Sequence, residues 1–153
     1  RRLGRILLPD DPLNTPPLRD LGFDPYLALA KAEDFRKKVR ARKTPIKALL
    51  LDQKFCAGVG NWMADEILYQ AAIDPRHSSH SLNDAQIEAI RNRLQFIVHT
   101  ALQANADDKL YPKDWLFHHR WGKRPNAKTT GGQTIEFIQI GGRTTAWVPS
   151  AQS

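Results

Sequence analysis

A chain of 153 residues, 41% hydrophobic and 25% charged, is typical of one compact domain or of one domain with a small appendage, and this length excludes two large domains. Its longest apolar runs, such as residues 48–51, are too short to span a bilayer, so no membrane association is predicted. Lysine and arginine exceed aspartate and glutamate by 23 to 16, which gives a net charge of +7. This balance favours a polyanionic partner such as nucleic acid.

The cysteine content limits the kinds of site that the chain can hold. Cys56 is the only cysteine, which excludes an internal disulfide and any zinc site built on cysteine pairs. His118 and His119 are adjacent rather than spaced for joint ligation of a metal. The sequence therefore predicts no metal and no cofactor. The chain begins at Arg1 with neither a methionine nor a signal-peptide core, so we expect it to be a fragment of a longer protein.

The first part of the chain is predicted to pass from a linker into a helix. Residues 1–8 are typical of a short extended segment, and four prolines between residues 9 and 17 form a stretch that cannot sustain a helix. Helix-forming residues dominate from Pro25 to Arg42. Seven of the twelve residues from 36 to 47 are basic and none is acidic, which predicts a strongly positive surface.

Two helices separated by a glycine-rich turn are predicted next. Thr44-Pro45 is a typical helix start, and that helix is expected to run to Gln53. Gly58-Val59-Gly60-Asn61 interrupts the pattern, and a second helix with Asn61 as its cap is predicted over residues 62–72. Glycines let a ligand approach the backbone, and a helix start suits a phosphate. An ordinary turn with a capping asparagine gives the same pattern.

The rest of the chain is predicted to contain a long core helix and a hairpin. Ser81 and Asp84 resemble a capping box at the start of that helix. Its apolar stripe consists of Leu82, Ile87, Ile90, Leu94, Ile97, Val98, Ala101 and Leu102. Two β-rich runs, residues 133–140 and 143–148, flank Gly141-Gly142 and predict a β-hairpin with Arg143 close to its turn.

Several motifs, in order along nearly the whole chain, resemble the formamidopyrimidine-DNA glycosylase/endonuclease VIII family, and its plant and fungal branch most closely. The motifs are Leu21–Pro25, Lys43–Gln53, Gly58–Trp62, Ala64–Leu68, Trp115–Lys123 and Gly141–Thr145. The resemblance implies a mainly α fold, a helix-two-turn-helix domain followed by a small β-hairpin. It implies the end of a catalytic-domain strand and a linker in residues 1–24, the DNA-binding domain in residues 25–117 and the hairpin in residues 118–153.

The resemblance also implies which residues contact DNA. Asn61 and Gly60 at the helix start, and Lys47 on the same side, are expected to hold a phosphate beside the damaged nucleotide. Arg143 matches the hairpin-tip arginine that contacts phosphates around the flipped nucleotide. At the start of the chain, Arg2 is expected to contact a further phosphate, and Arg1 and Leu3 are expected to form a wedge in the space that the extruded base leaves.

The hairpin departs from the pattern of most members of the family, which carry a four-cysteine zinc finger. Cys56 alone, far upstream, cannot form such a site. The resemblance therefore implies a zincless finger, in which strand packing by Ile135, Phe137, Ile138 and Trp147 replaces the metal. Glu66 matches an acidic residue of the second helix, whose role is structural or functional.

The implied function is binding of damaged double-stranded DNA, as the C-terminal part of a bifunctional DNA glycosylase/AP lyase of base-excision repair. Formamidopyrimidines, hydantoins and 8-oxoguanine are the expected lesions. The short run of residues 105–115 leaves little room for a lesion-capping loop, which favours hydantoins, formamidopyrimidines and abasic sites over 8-oxoguanine. The family's nucleophile is an N-terminal proline followed by glutamate, which this chain lacks, so no catalytic residue is predicted in it. A monomer in the nucleus, or in another DNA-containing compartment, is expected.

Two alternatives stay open. The chain is either part of such an enzyme or a stand-alone, nonenzymatic DNA-binding module, and a Met-Pro-Glu start about one domain upstream of Arg1 would favour the enzyme. The second alternative is a helix-two-turn-helix protein that binds structured RNA. The hairpin sequence at residues 141–145 argues against it.

Overall fold

The computed structural model describes residues 7–153, in which four α-helices precede a two-stranded antiparallel hairpin. The elements are α1 (Ala32–Arg40), α2 (Ile46–Leu51), α3 (Asn61–Gln70), α4 (Asp84–Gln103), β1 (Glu136–Ile140) and β2 (Arg143–Trp147). Short 3-10 helices lie at Leu18–Asp20, Ser79–Ser81, Asp108–Leu110, Leu116–His118 and Trp121–Lys123. The predicted mainly helical fold with a C-terminal hairpin is confirmed.

Helices α1 and α2 are shorter than predicted. The helix expected from Pro25 begins only at α1, because the preceding chain turns around Asp24, whose Oδ1 accepts the amides of Tyr26 and Leu27 at 2.8 and 2.9 Å. Helix α2 has Pro45 at its N-cap position and no side-chain cap, so the cap predicted from the Thr44-Pro45 start is wrong. The extended backbone of residue 52 ends α2 before the expected Gln53.

Helix α4 begins with a capping box two residues beyond the predicted one. Asn83 Oδ1 accepts the Gln86 amide at 2.9 Å, and Gln86 Oε1 accepts the Asn83 amide at 2.9 Å. The Ser81 hydroxyl donates instead to the carbonyl of Ser78 at 3.0 Å. The predicted Ser81–Asp84 box is therefore wrong, although a helix does begin at this point.

The core consists of two clusters that together hold the hairpin against the helices. The larger cluster packs α1–α4 and their connections, and the buried residues of the α4 stripe lie in it. Leu102 is the exception to the predicted stripe, because its side chain is 52% exposed. The smaller cluster lies under the hairpin and contains Leu116, Ile135, Ala146 and Val148.

The hairpin turn has the left-handed backbone conformation that its two glycines allow. Gly141 and Gly142 have φ values of +58° and +71°, the left-handed backbone of a type I′ turn, whose twist matches that of paired strands. The register pairs Ile140 with Arg143 and Glu136 with Trp147, so the ladder is shorter than the predicted β-rich runs. Of the residues expected to replace a metal, Ile135 and Trp147 are buried, whereas residues 137 and 138 are half-buried.

Two negative findings hold for the described part of the chain. Within residues 7–153, no helix combines the length and the apolar character that a membrane crossing needs. In the same residues, no three histidine, cysteine, aspartate or glutamate side chains converge as metal ligands would. The expected absence of a metal stays a prediction.

Candidate nucleic-acid interface

The N-terminus of α3 offers free backbone donors. Gly60 is the N-cap residue, and no side chain caps the helix, so the prediction that Asn61 is the cap is wrong. Among residues 7–153, the amides of Asn61, Trp62 and Met63 have no hydrogen-bond partner, and the first turn contains no acidic residue. These donors and the positive end of the helix dipole favour an anion at this position.

The Asn61 side chain joins this helix start to the hairpin. Its Nδ2 donates to the carbonyl oxygen of Thr144 at 2.8 Å. The amide nitrogen carries two hydrogens, so one of them stays free for another acceptor. Thr144 directly follows Arg143, and this hydrogen bond therefore places the hairpin tip beside the start of α3. The two elements form one surface, although Asn61 and Thr144 are separated by 83 residues in the sequence.

Arg143 lies at the start of β2, immediately after the glycine turn, and is exposed. Its guanidinium has no ion pair or hydrogen bond with any residue in the range 7–153. The turn itself packs on α2, because a Cβ added at Gly141 would lie 3.5 Å from Ala48 Cβ. The cationic side chain is therefore presented outward by a turn that is held in place.

Lys47 is placed differently from the prediction. Its side chain is fully buried, and its Nζ pairs with Asp65 Oδ1 and donates to the Asn61 carbonyl oxygen at 3.3 Å. Burial lowers the pKa of Lys47, and the Asp65 carboxylate opposes that change. This arrangement does not offer the direct phosphate contact expected for Lys47. The lysine instead supports the backbone of Asn61 from inside.

Two residues that the sequence argument missed complete this interior network. Asp65 is buried, and its Oδ2 accepts from Arg120 Nε and Nη2 at 3.0 and 2.6 Å and from the Ala146 amide at 3.2 Å. The spacing of Asp65 was an available signal, because a residue four positions after Asn61 lies on the same face of a helix. Arg120 gives no comparable signal, since the contact that buries it is 55 residues distant.

Glu66 ties α3 to the chain that precedes the hairpin. Its Oε2 accepts the Phe117 amide at 2.8 Å, and its Oε1 accepts Gln70 Nε2 at 2.8 Å. Burial raises the pKa of Glu66 to about 7, although the hydrogen bonds from Gln70 and from the Phe117 and Leu116 amides oppose the rise. The carboxyl lies away from the Asn61 end of the helix, and this placement indicates a structural role.

Aromatic packing fixes the first turn of α3 against the main core cluster. The Trp62 ring centroid lies 5.0 Å from that of Phe117 and 5.5 Å from that of Tyr111. The residue after Asn61 is thereby anchored in the core. The remaining predicted site residues, Arg1, Arg2 and Leu3, lie outside the described residues.

Comparison with known proteins agrees with this geometry. The family model for the formamidopyrimidine-DNA glycosylase H2TH domain matches residues 21–120, and the model for the formamidopyrimidine-DNA glycosylase-like C-terminal domain matches residues 115–149. A formamidopyrimidine-DNA glycosylase of Arabidopsis thaliana is 39% identical over 99% of this chain, and one of Moorella thermoacetica is 33% identical over 94%. The chain spans 39% and 49% of these two relatives.

A solved structure shows the same fold. The complex between Lactococcus lactis Fpg and DNA containing an abasic site superimposes with a TM-score of 0.73 at 26% identity, covering 88% of this chain and 52% of that chain. The matched family models cover the helices and the hairpin in the order found here. The chain belongs to the formamidopyrimidine-DNA glycosylase family.

Proposed function

We propose that this chain binds damaged double-stranded DNA as the C-terminal part of a bifunctional DNA glycosylase/AP lyase of base-excision repair. The observation that carries the proposal is the hydrogen bond from Asn61 Nδ2 to the Thr144 carbonyl oxygen. It brings the free amides at the start of α3 and the exposed guanidinium of Arg143 to one surface. Amides and a guanidinium on one surface suit adjacent phosphates of a bent backbone.

The relatives support the nature of the ligand. The Lactococcus lactis protein is described in complex with DNA containing an abasic site. The net charge of +7 adds a general attraction for DNA that depends on salt and carries no preference for damage. We assign base excision and strand cleavage to the part of the relatives that this chain does not cover, because the resemblance places the proline nucleophile there. A monomer acting in the nucleus, or in another DNA-containing compartment, is part of the proposal.

We call the start of α3 at Asn61 together with Arg143 the phosphate site. Loss of either half of this site is expected to weaken binding to damaged DNA selectively. Asn61→Ala and Arg143→Ala should each lower the affinity for a duplex with an abasic-site analogue by about tenfold, since the first breaks the bond that places the hairpin tip and the second removes its guanidinium. Fluorescence anisotropy at two salt concentrations, with an intact duplex of matched sequence, measures both affinities. For Arg143→Ala, the slope of the logarithm of the binding constant against the logarithm of the salt concentration should decrease in magnitude by about one.

The matched control removes an equal charge elsewhere. Arg19→Ala deletes an exposed arginine paired with Asp20 at 3.3 Å and should change either affinity by less than about twofold. Equal losses in all three variants, or an intact duplex bound as tightly as the abasic one, would leave only nonspecific attraction and reject the proposal. Tighter binding to a structured RNA hairpin than to either duplex would favour the RNA-binding alternative.

We further propose a preference among lesions. Residues 105–115 are occupied by a tight turn, the 3-10 helix at Asp108–Leu110 and Tyr111, which is buried among aromatic rings. This compact path supports the absence of a long lesion-capping loop after α4. A protein in which this chain is joined to a catalytic half should excise hydantoins and formamidopyrimidines, and incise abasic sites, at least about tenfold faster than 8-oxoguanine. Single-turnover rates on four otherwise identical duplexes provide the test, and fastest removal of 8-oxoguanine would reject it.

A further inference from the structure

Asp65 is the centre of a buried polar network behind the phosphate site. Its two carboxylate oxygens receive Lys47 Nζ, Arg120 Nε at 3.0 Å, Arg120 Nη2 at 2.6 Å and the Ala146 amide at 3.2 Å. Asp65 is 1% exposed, Lys47 0% and Arg120 8%. These partners belong to α2, to the segment before the hairpin and to β2, so one carboxylate joins three parts of the fold to α3.

Two hydrogen bonds attach α3 to β2, and the distance between them is similar along the helix and along the strand. Asn61 bonds to Thr144 at 2.8 Å, and Asp65, one helical turn later, bonds to Ala146, two strand residues later, at 3.2 Å. Four residues of a helix rise by about 6 Å, and two residues of a strand advance by about 6.6 Å. Helix and strand therefore run side by side over this length, and Arg143 projects from the end where the first bond is made.

The charges of the network are unequal. Lys47 and Arg120 contribute two positive charges and Asp65 one negative charge, all in a buried region where charge interactions are weakly screened. The excess positive charge lies directly beneath the Asn61 backbone, whose carbonyl oxygen accepts from Lys47 Nζ at 3.3 Å. An anion placed outside the start of α3 would be attracted by this excess. The guanidinium of Arg120 also lies 4.7 Å from the Trp121 ring centroid, which fixes its plane.

We propose that Asp65 is a positioning residue of the phosphate site, which holds the start of α3 and the hairpin tip at a fixed spacing by binding Lys47, Arg120 and the Ala146 amide at once. The inference rests on the proposed function, because the phosphate site is the surface whose geometry it maintains. Buried ion pairs contribute little net stability compared with apolar packing, so stability alone does not account for a carboxylate here. Its partners lie on the elements that build the site.

The first test is Asp65→Asn in the full chain, with Glu66→Gln as the matched control. Both variants remove a buried carboxylate from adjacent positions of α3, but only Asp65 is bonded to β2. Asp65→Asn should reduce the ratio of abasic-duplex to intact-duplex affinity by about tenfold, whereas Glu66→Gln should change it by less than about twofold. A general charge effect predicts the opposite for Asp65→Asn, since the loss of an acid makes the protein more positive and should tighten binding to both duplexes.

A double-mutant cycle separates positioning from lost stability. If Asp65 acts through the hairpin tip, Arg143→Ala should cost less than about threefold in the Asp65→Asn background, against about tenfold in the wild-type chain. Additive losses, or equal losses for both duplexes, would overturn the proposal. If Asp65→Asn does not fold, Arg120→Lys takes its place in the binding measurements, because it keeps the charge but cannot make the paired contacts from Nε and Nη2.

A measurement without DNA keeps the two proposals distinct. Hydrogen exchange of the Ala146 amide should be slow in the wild-type chain and about tenfold faster or more in Asp65→Asn, while amides in the middle of α4 are unchanged. Unchanged exchange at Ala146 would overturn the positioning role even if damage is recognised. If the wild-type chain shows no preference for the abasic duplex, the proposed function fails, and the exchange rate alone decides whether Asp65 fixes the spacing.

Discussion

Gly22→Ala is expected to lower the free energy of unfolding by roughly 3–5 kcal/mol, the largest effect of any small substitution that we anticipate in this chain. A Cβ at this position would lie 2.2 Å from the Phe55 carbonyl oxygen, 2.3 Å from its carbonyl carbon and 2.7 Å from the Lys54 carbonyl oxygen. All three are backbone atoms, which cannot turn aside as the end of a flexible side chain could. Either the segment around Gly22 or the segment at residues 54–55 must therefore move.

The contact between these two segments supports the turns between α2 and α3. The Gly22 amide donates to the Gln53 carbonyl oxygen at 2.8 Å, and the Ala57 amide donates to the Phe23 carbonyl oxygen at 3.0 Å. Displacing the chain here breaks these bonds and loosens the path that leads into the start of α3. Gly22, which is outside the proposed DNA surface, thus affects the geometry of that surface.

Urea denaturation followed by circular dichroism measures the effect, with Gly131→Ala as the control. Gly131 has no left-handed backbone, and the nearest atom to an added Cβ is Thr129 Oγ1 at 3.8 Å, so its replacement should change stability by less than about 0.5 kcal/mol. Equal unfolding midpoints for the two variants would show that the close approach at Gly22 is relieved at no cost.

The structural elements that could be predicted from the sequence are those determined by residues close together in the chain. The Gly141-Gly142 pair predicts the hairpin turn because two successive left-handed residues almost require glycine. The glycine-rich interruption before Asn61 predicts the start of α3 for a similar reason, although the cap falls on Gly60. The apolar periodicity predicts α4. Its capping box lies two residues later than predicted, because Asn83 and Gln86 form it while the Ser81 hydroxyl donates to the Ser78 carbonyl oxygen.

What could not be predicted depends on contacts between distant residues. Lys47 was expected to face phosphate, and its residue type and place on the helix allow that equally well. Its burial follows from Asp65, 18 residues later, and from Arg120, which approaches from the segment before the hairpin. The family resemblance identified the motif around Gly22 but did not explain why a glycine is needed there. The Phe55 backbone lies so close to Gly22 that a Cβ does not fit. Neither fact has a local signature.

Glu66 is expected to make the stability of this protein fall as pH rises from about 4.5 to about 7. Its pKa is about 7 in the folded chain against an ordinary value of 4.5, because burial disfavours the carboxylate. Between these values the folded state keeps a proton that the unfolded chain has lost, so stability decreases with pH through this window and levels off above pH 7. The shift corresponds to roughly 3 kcal/mol in total.

Glu66→Gln should remove this dependence, because an amide does not ionise. Its oxygen can accept from the Phe117 amide as the carboxylate does, and its NH₂ group can face Gln70 once the Gln70 amide is reversed. The variant should therefore gain about 2–3 kcal/mol relative to the wild-type chain between pH 5 and pH 8, measured by urea denaturation across that range.

Gln70→Ala provides the opposing change. Gln70 donates to Glu66 Oε1 at 2.8 Å and so favours the ionised form, and its removal should raise the pKa of Glu66 further and extend the loss of stability to higher pH. Parallel stability curves for the wild-type chain, Glu66→Gln and Gln70→Ala would show that another group controls the pH dependence. A stability that no longer depends on pH in Glu66→Gln, together with a loss that continues to higher pH in Gln70→Ala, would assign the pH dependence to Glu66. Only the Glu66 carboxyl is expected to respond in opposite directions to the two substitutions.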